Sequence, residues 1–250
     1  MIACRDGVEL EKLRAAGLLV ADVLDRVVER VAAGVTTLEL ERVAEQRIRE
    51  LGARPAFKGY RGYPCASCIS INEEIVHGIP SERKLAPGDI VSIDIGVELD
   101  GYYSDVATSV GIEPLAPERE TLLRVTREAL YHGIEQARPD HFLGDISQAV
   151  QEHVERYGFS VVREFVGHGI GTQLHEEPQV PNYASPVRGP KLRPGMVLAI
   201  EPMVTTGSPE VKIRADRWTA VTADGGCAAH FEHCVAVTEN GPWILTAPEG

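Results

Sequence analysis

Four acids and one histidine stand where chemistry is possible: Asp94, Asp105, Glu201, Glu232 and His168. Asp94 lies inside Ile90-Val-Ser-Ile-Asp-Ile-Gly-Val97, Glu201 closes Met196-Val-Leu-Ala-Ile-Glu, and Glu232 interrupts Ala229-His-Phe-Glu-His-Cys-Val235. A carboxylate in an apolar strand loses its hydration and needs a partner. Several such acids in one small protein point to a shared cation. His168 sits in Gly167-His-Gly-Ile-Gly171, where three glycines allow a tight loop that presents the ring with little cover. Four carboxylates and an imidazole suit hard or borderline divalent ions: Mn, Fe(II), Co or Zn. Four acids outnumber the charge of one divalent ion, so two ions are expected. Two ions about 3.5–4 Å apart can clamp a hydroxide and polarise a carbonyl. The chemistry is then metal-assisted hydrolysis.

Singly, each residue has an ordinary reading. A strand aspartate is more often an edge or turn residue, and a histidine among glycines can be plain surface. Together, on related strands, the five read as a metal site. Other candidates are weaker. Cys65-x-x-Cys68 has no partner ligands for zinc. His132, His141 and His153 fall in helical or loop stretches and read as solvated. His230 alternates onto the face of Glu232 and could orient a ligand. The loop Gly59-Tyr-Arg-Gly-Tyr-Pro64 could be surface, or its tyrosines could line a cavity.

These residues need elements to hold them. Asp89–Val97 and Tyr102–Val110 read as strands joined by Leu99-Asp-Gly101, a hairpin signal. With the loop centred on Asp100-Gly101, residue 94 lies opposite residue 107 and Asp105 is its diagonal neighbour. A loop two residues longer opposes Asp94 and Asp105 directly. Either register puts both acids on one face. Upstream, residues 9–33 carry helical spacing, and a second helix starts at Thr36, where Thr36-Thr-Leu-Glu39 has the capping-box pattern, and ends at Gly52. Residues 67–77 read as extended. Downstream, helices are expected over 117–137 and 144–157, then strands over 160–166, 196–204, 211–222 and 228–238.

The order repeats. Leu85-Ala-Pro-Gly-Asp-Ile-Val-Ser-Ile-Asp94 aligns with Leu192-Arg-Pro-Gly-Met-Val-Leu-Ala-Ile-Glu201 at an offset of 107. The expected architecture is α+β: one domain over 1–250, built from helix–helix–strand halves at 9–113 and 117–246 about a pseudo-twofold axis.

The chain has 250 residues, 37 acidic and 25 basic, for a net charge of −12. An acidic chain argues against nucleic-acid binding, which needs a basic footprint. No stretch approaches the ~18 apolar residues of a membrane span, and no signal peptide is visible, so the cytosol is expected. Five unpatterned cysteines fit free thiols.

Several ordered motifs resemble type I methionine aminopeptidases of the short bacterial form: Ser70-Ile-Asn-Glu-Glu-Ile-Val-His-Gly-Ile-Pro80, Gly167-His-Gly-Ile-Gly171, His175-Glu-Glu-Pro-Gln-Val180, Ile200-Glu-Pro-Met-Val204 and Phe231-Glu-His233. The likeness runs from about residue 8 to 246. It implies the pita-bread fold, a central curved antiparallel sheet covered by helices. It implies a dinuclear site in which Asp94, Asp105 and Glu232 are shared or bidentate and His168 and Glu201 complete the set. A bridging hydroxide attacks the first peptide bond in such enzymes. The resemblance makes Glu201 the general base, His175 the oxyanion donor and His77 the residue that positions the scissile amide. It lines the methionine pocket with Tyr60, Tyr63, Cys68, Trp218 and Leu174, and it implies a small second residue in the substrate. Leu174 stands where some relatives carry an aromatic residue, and Phe57 where some carry cysteine. The partners it implies are nascent polypeptide N-termini near the ribosome; a monomer is expected, with no membrane.

Overall fold

The computed structural model describes residues 2–248; Met1, Glu249 and Gly250 of the expected 1–250 span lie outside the described residues. Two helices lead, α1 (Gly7–Val28) and α2 (Thr37–Glu50). Five strands follow: β1 (Arg54–Pro55), β2 (Ser67–Ile71), β3 (Glu74–Val76), β4 (Ile90–Leu99) and β5 (Tyr102–Gly111). Then come α3 (Pro117–Glu135) and α4 (Leu143–Arg156). The remaining strands are β6 (Ser160–Val161), β7 (Gly167–Gly169), β8 (Glu176–Val180), β9 (Val197–Ile200), β10 (Met203–Thr205), β11 (Val211–Ile213), β12 (Ala220–Thr222), β13 (Ala228–His230), β14 (Glu232–Thr238) and β15 (Gly241–Ile244).

Local chemistry sets these boundaries. Helix α2 starts at Thr36 with the expected capping box: Thr36 Oγ1 accepts from the Glu39 amide and Glu39 Oε2 accepts from the Thr36 amide. It stops at Gly52, whose φ of +76° leaves the helix. Helix α1 ends at Val28, short of residue 33, because Gly34 and Val35 turn away to bond the backbone of Leu85.

Nine strands form one antiparallel sheet in the order β1-β4-β5-β14-β9-β7-β8, with β2 also on β4 and β15 on β14. The sheet curls into a half-barrel carrying four helices, which is the pita-bread arrangement. Helices α1 and α2 bury Val20, Val23, Leu40 and Ile48 against Ile69, Ile93 and Ile95. Helices α3 and α4 bury Leu122, Val125, Ile146 and Val150 against Leu198, Ile200 and Val235. Side chains alternate across a strand, so with Ile93 and Ile95 on the helix side, Asp94 faces the other way.

Three long expected strands are broken. Residues 196–204 split into β9 and β10, and 228–238 into β13 and β14; in each case the two pieces belong to different sheets, since β10 and β13 join β6 in a three-stranded sheet. Pro202 has no N–H to continue the ladder, and its carbonyl accepts from the Phe231 amide where the chains cross. Residues 211–222 form a hairpin, β11 and β12, and only Ser160–Val161 of 160–166 is strand. His153 is buried at 8 % exposure, contrary to its solvated reading, because it packs beside His132 and bonds Glu128 at 3.1 Å. All five cysteines are free thiols. Among the described residues no helix is long and apolar enough to cross a membrane.

Candidate metal centre and cleft

The β4–β5 hairpin takes the first of the two registers: Asp94 pairs with Ala107, and Gly96 with Asp105. On its other side, Ala107 pairs with Glu232 of β14. Asp94, Ala107 and Glu232 thus form a row across three strands, and the alanine methyl leaves the space between the carboxylates open. Asp105 stands two residues along β5 on the same face. Its backbone is held by Cys234, whose Sγ accepts from the Asp105 amide at 3.3 Å and donates to the Asp105 carbonyl at 3.1 Å. Glu201 follows the last residue of β9, at the break that turns the chain toward the smaller sheet. His168 on β7 pairs with Ala199 of β9. Its Nδ1 lies 2.9 Å from the Gly169 carbonyl, so Nδ1 carries the proton and Nε2 is left as a free electron pair aimed at the acids.

Ligand atoms of Asp105, His168 and Glu232 lie within 4.8 Å of one another, and so do those of Glu201, His230 and Glu232. His168 Nε2 is 3.5 Å from Glu201 Oε1. One oxygen of each acid, Asp94 Oδ1, Asp105 Oδ1, Glu201 Oε1 and Glu232 Oε1, is buried without a hydrogen-bond partner. Among the described residues no lysine or arginine pairs with any of the four; the groups that approach Glu201 are the imidazole Nε2 atoms of His168 and His230. Burial pushes the carboxyls of Asp105, Glu201 and Glu232 well above the ordinary range, and neighbouring acids push them further. Burial lifts Asp94 to about 7. Four orphaned oxygens and an imidazole lone pair, all converging, are the donor set that divalent cations fit.

The acids floor a cavity of about 140 Å³. Eleven of the side chains singled out from the sequence line it: Asp94, Asp105, His168, Glu201 and Glu232 with His77, His175, Tyr60, Tyr63, Cys68 and Trp218. The apolar wall is Tyr63, Cys68, Trp218, Leu174 and Phe57. Tyr63 meets Trp218 edge-on at 5.2 Å, and its hydroxyl donates toward the Ser67 and Gly78 carbonyls at 3.0 Å. His175 is stacked on Tyr60, centroids 5.2 Å apart, and its ring is 4.1 Å from that of His168. His77 has a φ of +61°, a strained conformation for a non-glycine residue, and its ring meets Phe165 edge-on at 5.1 Å. Burial holds His77 down to about 4; burial and then the Arg61 charge lower His175.

One participant escapes the sequence reading. Arg61 lines the cleft and lies over the Tyr60 ring, 5.4 Å from its centroid. Its place between the two loop tyrosines was the available signal. His230 lies on the face of Glu232, as the alternation implies, and its Nε2 has no hydrogen-bond partner and also faces Glu201 Oε2 at 3.9 Å. A larger groove, about 650 Å³, runs between α1 and α3 on the helix side and holds none of the eleven. Volume alone does not locate the chemistry.

Residues 11–239 match the model of metallopeptidase family M24. The chain is 51% identical over 246 residues to a methionine aminopeptidase of Clostridium perfringens, covering 98% of this chain and 99% of the other. It is 50% identical to methionine aminopeptidase 1 of Bacillus subtilis over the same shares. The crystal structure of a methionine aminopeptidase from Thermotoga maritima superposes with a TM-score of 0.97 at 46% identity, covering 99% of this chain and all of that one.

Proposed function

Because this chain belongs to metallopeptidase family M24, among the methionine aminopeptidases, we propose that the cleft removes N-terminal methionine through the residues named below. The reaction is metal-dependent hydrolysis of the first peptide bond, releasing the initiator methionine. The residues that would hold the metal are Asp94, Asp105, His168, Glu201 and Glu232, and the set would take two divalent ions chosen from Fe(II), Mn, Co and Zn. When bound, such ions supply an acidified water and Lewis-acid polarisation of the scissile carbonyl.

The side chains do the rest. Glu201 accepts the proton of the attacking water and passes it to the departing amine. His175, open to the cleft and fixed by its stack on Tyr60, donates to the carbonyl oxygen as negative charge develops there. His77 holds the scissile amide and assists its nitrogen. Both rings are neutral at neutral pH, so each keeps one N–H to donate. The methionine side chain lies against Tyr63, Cys68, Leu174 and Trp218, where a thioether gains dispersion and sulfur–aromatic contacts. A bulky second residue crowds His77 and His175 beside the acids, so small residues are preferred. The substrates are nascent polypeptide N-termini near the ribosome, and the enzyme works as a cytoplasmic monomer.

The observation that carries this reading is the set of four buried acid oxygens without partners at the base of an apolar pocket. The test is an assay of Met-Ala-Ser and of x-Pro peptides after chelation and metal add-back. Free methionine released only with metal supports the reading. Cleavage of x-Pro bonds instead contradicts it.

A further inference from the structure

The six residues Gly171–Glu176 carry Leu174 and His175 into the cleft, and no helix or strand supports 170–175. What shapes this loop is one carboxylate. Glu176 Oε1 accepts from the Thr172 amide at 2.8 Å, the Gln173 amide at 3.1 Å and the Thr172 hydroxyl at 3.2 Å. That carboxylate is itself gripped from the far end of the chain. Arg5 Nη2 lies 2.6 Å from both Glu176 oxygens, and the two side chains are only 12 % and 14 % exposed. The guanidinium packs so closely on Gly171 that any Cβ there would collide with it. The third glycine of the His168 motif is therefore explained by Arg5.

Arg5 is well anchored. Its amide donates to the Gly195 carbonyl at 2.7 Å, and its Nη1 reaches Glu9 at 3.3 Å, in the first turn of α1. Gly195 has a φ of +88°, and a side chain there would strike the Arg5 backbone. The arm that precedes α1 is thus locked to the sheet on one side and to the cleft loop on the other.

We propose that Arg5 is a positioning residue of the catalytic cleft: its ion pair with Glu176 holds the loop that places His175 and Leu174. This rests on the role given above to His175. Without the guanidinium, Glu176 is a largely buried, unpaired acid, and hydration draws it outward. It then releases the Thr172 and Gln173 amides, and His175 loses its registry over Tyr60. Displacements of about 1 Å in such groups cost up to about 100-fold in rate.

The experiment is a double-mutant cycle on the metal-loaded enzyme, reading kcat and KM for Met-Ala-Ser. R5A is expected to lower kcat by about 10–100-fold with a smaller change in KM. In an H175A background the same substitution is expected to change kcat by less than about twofold, because the group it positions is gone. R5K, which keeps the charge but loses the forked grip, is expected to recover part of the rate; it takes the place of R5A in the cycle should that variant not fold. An equal loss from either Arg5 variant in both backgrounds, or none in either, overturns the clamp and leaves the metal-centre reading standing. H175A as active as the unsubstituted enzyme overturns the role of His175 and the clamp with it.

Discussion

Buried carboxylates occur in two kinds of place in this molecule, and the contrast separates scaffold from site. Glu41 on α2 is 5 % exposed, and its oxygens accept from the Ala66 amide at 2.7 Å, the Ser67 amide at 2.9 Å and the Ser67 hydroxyl at 2.5 Å. Glu74 on β3 is 6 % exposed and accepts from the Ile71 amide at 2.8 Å, from Arg83 at 2.9 Å and from Arg214. The chain supplies what these acids need. In the cleft, Asp94, Asp105, Glu201 and Glu232 face one another, and one oxygen of each has no donor. Burial of an acid is therefore weak evidence of chemistry. Burial without donors is strong evidence, because an uncompensated ion costs several kcal/mol.

The contrast breaks most sharply on activity. Glu201→Gln is expected to lower kcat by about 10²–10⁴-fold, the usual worth of a general base, with the fold retained. Full activity of that variant would falsify the base assignment. Glu41→Gln, by contrast, is expected to leave kcat within about twofold once corrected for the folded fraction, since it stands outside the cleft.

Metal removal separates the two kinds of acid by stability. Ions that bind only the folded chain stabilise it by about 2.7 kcal/mol at 100 times their dissociation constant. The chelated protein is expected to melt lower and to recover with Mn or Co. A melting curve indifferent to both treatments contradicts the site. Conversely, Glu41→Ala strands two buried backbone amides, at about 1–3 kcal/mol each. Its destabilisation, read by chemical denaturation, is expected to be the same with and without metal.

The subtlest difference is in pH. In the metal-free protein, burial raises Asp94 from 3.8 to about 7 and lifts the other three acids as well. The folded chain then holds protons that the unfolded chain has released. The stability contributed by these groups is full below their unfolded pKa and is lost as pH rises through the folded values. The metal-free protein should thus lose stability as pH climbs from about 4 to 7 and beyond. Bound cations favour the ionised acids, so the metal-loaded protein should lose this dependence. Parallel pH–stability curves for the two forms contradict the account.

Much of this was legible in the sequence, for physical reasons that can be named. The Asp100-Gly101 turn sets the hairpin register, and the register alone puts Asp94 and Asp105 on one face. Thr36 and Glu39 start α2 through local bonds only. What was not legible depends on long-range pairing. The apolar runs around Glu201 and Glu232 keep the same pattern where the chain passes from one sheet to the other, so hydrophobicity does not mark the break; Pro202 is the local clue. The grip of Arg5 on Glu176 joins positions 171 residues apart, and no local pattern announces it. His153 illustrates the reverse error: a polar helix face was read as solvated, yet α3 lies across it.

The most direct test of the central claim is a titration of the chelated protein with Co(II), followed by calorimetry and visible absorption, for the unsubstituted chain, Asp105→Asn and Glu41→Gln. The account predicts two equivalents bound by the unsubstituted chain and by Glu41→Gln, and at most one by Asp105→Asn. Asp105→Asn binding cobalt as the unsubstituted chain does, or Glu41→Gln losing it equally, would contradict the distinction between orphaned and satisfied acids.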